Sequence, residues 1–280
     1  MLKVSRYDAP NSFNSRTSGM DIAQIFSGFA VGALVGVTGV GGGALMTPLL
    51  VLLFGVAPAT AVGTDLLYAA ITKSGGTWVH ARHGRVDWTI VGRLAAGSLP
   101  AAILTLLLVT EFVPGGLGGA QKTITSALGF ALLLTAGVLF FRKQLLACVG
   151  RHAGSAPVPP AQTRAWPTVL VGALLGALVA LTSVGAGALG VTALLLLYPG
   201  LAAIRIVGAD LAHAVPLTLV AGLGHWWLGS IDWTLLATLL AGSLPGVFIG
   251  SLLAHRIPER LLRSTLAGVL VLAGGKLIAA

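Results

Sequence analysis

Charge is scarce in this chain: Asp, Glu, Lys and Arg make up 9% of its 280 residues, against 56% hydrophobic residues. A water-soluble globule needs far more charge on its surface, so the composition excludes one and points to an integral membrane protein. Cysteine occurs once, as Cys148, which excludes an intrachain disulfide, and nothing around it has metal or redox spacing. Alternating segments of about ten residues are missing, which excludes an outer-membrane barrel. No phosphate-binding Walker loop occurs, so any transport by this chain would draw on an ion or potential gradient. Residues 1–20 have no apolar stretch ahead of a small-residue cleavage site and read as a polar tail, not a signal peptide.

Long apolar runs are what the chain does have. They cover residues 22–37, 44–54, 62–81, 88–109 and 117–141, and most approach the roughly 20 residues a helix needs to cross a hydrocarbon core. The expected fold class is an all-α polytopic membrane protein. The net charge of +9 is spread over short loops, where it orients the chain in the bilayer and does not form a nucleic-acid face. A polar connector, 142–166, carries Pro157-Val158-Pro159-Pro160, and beyond it the pattern begins again. The expected divisions are therefore a tail at 1–20, a first transmembrane repeat at 21–141, a linker at 142–166 and a second repeat at 167–280.

The duplication can be traced residue by residue. Gly28, Gly32, Thr38, Val40, Gly41 and Gly43 fall on Gly172, Gly176, Thr182, Val184, Gly185 and Gly187. One inserted residue later, Val62-Gly63-Thr64-Asp65 falls on Val207-Gly208-Ala209-Asp210, His80 on His225, and Gly97-Ser98-Leu99-Pro100 on Gly242-Ser243-Leu244-Pro245. If each glycine stretch is the tip of a hairpin, a half holds that hairpin and three full spans, and the halves are inverted. If each is a kink, both halves face the same way. With the termini set aside, the hairpin reading leaves Lys122 alone opposite the loop arginines, whereas the kink reading moves Arg205, Arg256, Arg260 and Arg263 across. The positive-inside rule favours the hairpin, with both termini outside.

Irregular backbone survives at membrane depth only where it is buried in protein or lines a cavity. A helix restarting after Gly41-Gly42-Gly43 aims its first N–H groups and the positive end of its dipole into that cavity, which suits a small anion. The candidate anion-binding residues are Thr38, Gly39, Val40, Gly41, Gly42 and Gly43, with Thr182, Ser183, Val184, Gly185, Ala186 and Gly187 in the second copy. Paired broken helices are also the sequence pointer to a transporter's binding site. Gly28, Gly32 and Gly36, spaced by four, read instead as a close-packing face.

The run Gly39 to Pro48, the run Val62 to Asp65 and their duplicated forms resemble the TauE/SafE family of sulfite and organosulfonate exporters. The likeness extends from about Gly28 to the C-terminus. It implies transport of a small sulfur-containing anion, such as sulfite, sulfoacetate or another organosulfonate, across a bacterial inner membrane. The second copy departs from the first by Ala186 for the middle glycine, Thr192 for Pro48 and Ser183 for Gly39.

Lys73 lies near the middle of its span, where a cation is expensive; its counterpart is Thr218, and it joins the candidate site as a substrate or pathway residue. Asp65 and Asp210 read either as caps for exposed N–H groups or as carriers of a coupling proton or cation. Tyr68 and His213, an equivalent pair, follow one turn later. Asp87 and Asp232, beside Trp88 and Trp233, read as interfacial N-caps, and His80 and His225 as interfacial residues. The leading function is a secondary transporter working by alternating access; the alternative is a channel-like small-anion pore. An intramembrane enzyme is disfavoured for want of a nucleophile or metal set, and no cofactor or metal is expected. The expected partners are a small anion, the lipid bilayer and a coupling proton or cation, with room for a homo-oligomer and none for nucleic acid.

Overall fold

The structure is a computed structural model that describes residues 17–38, 43–153, 164–253 and 259–279. Among the described residues the fold is all-α, with no strand. The order is α1 (Thr17–Thr38), α2 (Gly43–Phe54), α3 (Pro58–Arg82), α4 (Trp88–Phe112), the single turn α5 (Gly116–Gly119) and α6 (Gln121–Ala153). It continues with α7 (Ala165–Thr182), α8 (Ala188–Leu197), α9 (Ala203–Trp227), α10 (Trp233–Leu253) and α11 (Glu259–Ala279). Helices α4, α7, α9 and α10, with α6 up to Arg142, are long and apolar enough to cross a membrane. All six tryptophans are exposed and lie at or near helix ends, Trp88, Trp166 and Trp233 at starts and Trp226 and Trp227 at a finish. That is where indole rings settle at a bilayer interface.

Two elements differ from the reading of the sequence. Helix α3 covers the expected span 62–81, yet it is not one of the strongly apolar helices. Asp65, Thr72, Lys73 and Ser74 lower its hydropathy, and burial of nearly all its first half, from Ala59 to Ala70, replaces contact with lipid. Helix α6 runs on to Ala153, so the first part of the expected connector is helical; residues 154–163 lie outside the described residues.

Close backbone crossings define the helix directions. A Cβ added to Gly28 or Gly32 of α1 would strike the backbone of Leu239 or Ser243 of α10, in that order, so these two helices are parallel. Gly172 and Gly176 of α7 meet Leu94 and Ser98 of α4 in the same way. The glycine face expected from the spacing at Gly28 and Gly32 is thus a helix crossing, where small residues let backbones touch. Thr64 Oγ1 accepts from the Asp232 N–H at 3.2 Å, and Tyr68 lies against Ser243, which makes α3 parallel to α10. Ser98 bonds His213, and Leu106 lies on Gly224, which makes α4 parallel to α9. Between α3 and α9 the order reverses: Leu67 packs on Gly222, while Thr77 Oγ1 donates to the Leu211 carbonyl at 3.2 Å. α3 and α9 are therefore antiparallel, and α1, which is parallel to α10 and so to α3, runs opposite to α7, which is parallel to α4 and so to α9.

Candidate transport site

Helix α7 stops at Thr182 because the chain leaves helical geometry there. Ser183 takes φ 58°, Gly185 φ 134° and Gly187 φ 121° before α8 starts at Ala188. Only glycine enters that half of conformational space without steric cost, so Ser183 holds the one strained non-glycine backbone among the described residues. Thr182 secures the interrupted end, accepting the Val184 N–H at 3.1 Å and donating to the Leu178 carbonyl at 2.7 Å. Thr168, near the start of α7, shares a 2.6 Å hydrogen bond with Tyr198, at the end of α8. The chain therefore enters on α7, turns at Ser183–Gly187 and returns on α8 toward the side it came from. Such a re-entrant backbone is tolerated because it is packed within protein: Thr182, Ser183 and Val184 are all buried.

The polar groups of α3 and α9 converge on this turn. Asp65 is fully buried, and Asp210 and Lys73 nearly so, at 2% and 5% exposure. Lys73 Nζ donates to the carbonyl of Ala186, in the middle of the turn, at 3.3 Å. Asp210 faces the backbone N–H of Gly187, and a Cβ at Gly190 would strike its Oδ1, so glycine at 190 makes the room this carboxylate occupies. Asp65 Oδ2 accepts from Thr47 Oγ1 at 2.5 Å, tying α2 to α3, and its carboxylate also faces Ser183. Lys73 lies within electrostatic reach of both carboxylates yet forms a salt bridge with neither among the described residues.

Five buried polar atoms in this region have no hydrogen-bond partner: Asp65 Oδ1, Tyr68 Oη, Ser183 Oγ, Asp210 Oδ1 and His213 Nδ1. A buried polar group left unmatched is costly and rare. His213 reaches Ser98 through Nε2 at 2.7 Å, and Tyr68 faces Ser243 at the aligned position without closing a hydrogen bond.

The expected residues are distributed unevenly over this site. From the second copy, Thr182, Ser183, Val184, Gly185, Ala186 and Gly187 form the turn, with Lys73, Asp65 and Asp210 around it. From the first copy, Thr38 ends α1 and Gly43 begins α2, while Gly39, Val40, Gly41 and Gly42 lie outside the described residues. Asp65 and Asp210 sit inside their helices and cap neither start; Asp87 and Asp232 do cap theirs, accepting from the N–H groups of Ile90 and Leu235. His225 is not interfacial: it is fully buried and bonds the Ala180 carbonyl at 2.9 Å. Reading the sequence missed Thr47, Ser98, Ser243 and Gly190. The two serines carried a signal, because each stands in a duplicated Gly-Ser-Leu-Pro, whereas Thr47 and Gly190 have no polar counterpart in the other half.

The family model described as Sulfite exporter TauE/SafE matches residues 24–277, which takes in every residue of this site. The chain belongs to the TauE/SafE family. It is 40% identical to the probable membrane transporter protein YjnA of Bacillus subtilis (strain 168) over 259 residues, covering 92% of this chain and 100% of that one. It is 26% identical to the probable membrane transporter protein YdhB of the same organism over 250 residues, 87% of this chain and 97% of that one. A probable membrane transporter protein of Xylella fastidiosa (strain 9a5c) is 29% identical over 260 residues, 90% and 92% of the respective chains. No solved structure matches. This TauE/SafE protein is thus a multi-pass membrane transporter, and its polar turn lies within the membrane-spanning bundle.

Proposed function

We propose that this transporter carries a small sulfur-containing anion, such as sulfite, sulfoacetate or another organosulfonate, by alternating access, and that the anion is held between the two glycine-rich turns. One observation carries the reading: Lys73, buried in the bundle, reaches the α7–α8 turn while pairing with neither nearby carboxylate. A buried ammonium without a salt bridge is costly to keep unless a second anion is meant for it. The unpartnered hydroxyls of Ser183 and Tyr68, both near Asp65, supply further donors in the same region. Asp65 and Asp210 carry the coupling proton or cation. The two halves act as inverted repeats that rock against each other about this chamber, and the family's name supplies the class of cargo.

The test is a substrate screen on purified protein reconstituted into liposomes. At least one of sulfite, sulfoacetate and the other sulfonates should give saturable flux with counterflow. Linear flux without counterflow would favour a small-anion pore, and absence of flux for every small oxyanion would overturn the reading.

A further inference from the structure

The charges around Lys73 do not balance. The site holds two buried carboxylates, Asp65 and Asp210, and one buried ammonium. Among the described residues the other facing groups are hydroxyls and one imidazole: Thr47 of α2, Ser183 of the turn, Tyr68 of α3 and His213 of α9, with Ser243 of α10 and Ser98 of α4 against those last two. With both carboxylates ionised the site carries one net negative charge, which is expensive in a medium that screens poorly. The empty site is neutral only when one carboxylate holds a proton. A singly charged anion then restores the imbalance, and neutrality returns only if the second carboxylate is protonated as well. A doubly charged anion would need a further proton, for which no carboxylate is left.

The location of the unpartnered atoms fits this count. Each aspartate has a buried oxygen without a hydrogen-bond partner, Oδ1 in both cases. Protonated there, a carboxyl group turns from an acceptor that repels an anion into a donor that binds one.

We infer that the chamber around Lys73 admits a singly charged oxyanion together with one proton, taken from water onto Asp65 or Asp210, and excludes doubly charged anions. The cargo then moves as the equivalent of a neutral acid, and binding is insensitive to membrane potential. The proton is held as a carboxyl O–H donated to the anion. This rests on the anion reading above and narrows its substrate class to anions of one charge, such as hydrogensulfite or a monosulfonate; sulfoacetate, which carries a sulfonate and a carboxylate, is rejected as the dianion.

Calorimetry on the full-length protein in detergent tests it, with methanesulfonate as a singly charged probe, sulfate as a doubly charged one and sulfite as a third. Repeating the titration in buffers of different ionisation enthalpy counts the protons taken up. The expected result is saturable methanesulfonate binding with one proton gained per anion, and sulfate binding weaker by at least about tenfold. Proton uptake should disappear in the Asp65→Asn/Asp210→Asn double variant. Binding without proton uptake, equal binding of sulfate, or proton uptake that survives in the double variant overturns the inference and leaves the transport reading standing. Binding of none of the three anions overturns the anion reading itself, and the inference with it.

Discussion

Lys73 and the two aspartates form a set whose members cannot be removed singly without cost to binding. Lys73→Met leaves two buried carboxylates without their nearby ammonium. We expect it to weaken substrate binding while changing stability little, because no salt bridge among the described residues is lost and the buried carboxylates can take up protons instead. Thermal unfolding in detergent and a transport assay read the two effects separately, and an unchanged substrate profile would return Lys73 to a structural role. Thr47→Val removes the 2.5 Å hydrogen bond to Asp65 and strands an acceptor that is buried; the expected cost is about 1–3 kcal/mol. Gly190→Ala drives a methyl group into Asp210 Oδ1. The carboxylate must move, so we expect transport to fall while the protein still inserts, measured as flux per unit of reconstituted protein. Full flux in Gly190→Ala would show that Asp210 tolerates displacement.

At the scale of helices, the crossings of α1 with α10 and α4 with α7 are where glycine matters most. A Cβ on Gly32 would lie 2.7 Å from the Ser243 Cα, and one on Gly176 the same distance from the Ser98 Cα. Neither backbone can retreat without separating two helices. Gly32→Ala or Gly176→Ala should therefore lower thermal stability by about 1–3 kcal/mol. Gly75→Ala, where an added Cβ meets nothing within 4 Å, should not lower it; helix propensity alone would raise stability by up to about 1 kcal/mol. The Gly176 crossing also positions chemistry, because Ser98 holds His213 beside the site. Loosening it should impair transport even in molecules that remain folded.

For the whole molecule, the antiparallel run of α3 and α9 puts the α3–α4 and α9–α10 connections on opposite membrane faces. With Cys148→Ser as background, His83→Cys and Trp227→Cys should react with a membrane-impermeant maleimide from opposite sides. Labelling of both from the same side would rule out inverted halves. The same arrangement explains why α1 packs on α10 and α7 on α4: each half supplies an outer helix that packs against a helix of the other. Under the inverted-repeat proposal the site forms at the seam between the halves, with Asp65, Thr47 and Lys73 from one and Asp210, Ser183 and Ala186 from the other.

The sequence by itself determined the membrane class, the glycine crossings at Gly28 and Gly32, the N-caps at Asp87 and Asp232, and the short list of buried charges. Each follows from a local rule: hydrophobic length, spacing by four, a cap beside a tryptophan, or the cost of charge in hydrocarbon. The tertiary structure alone decided how those residues meet. Nothing local says that Asp65 faces Thr47 and Ser183, that Lys73 reaches a carbonyl in the other half, or that Gly190 clears space for Asp210. These contacts join elements far apart in the chain, and their partners depend on helix direction and rotation, which packing sets. Helix α3 shows the same limit, since its polar interior weakens the span signal that only burial by its neighbours offsets.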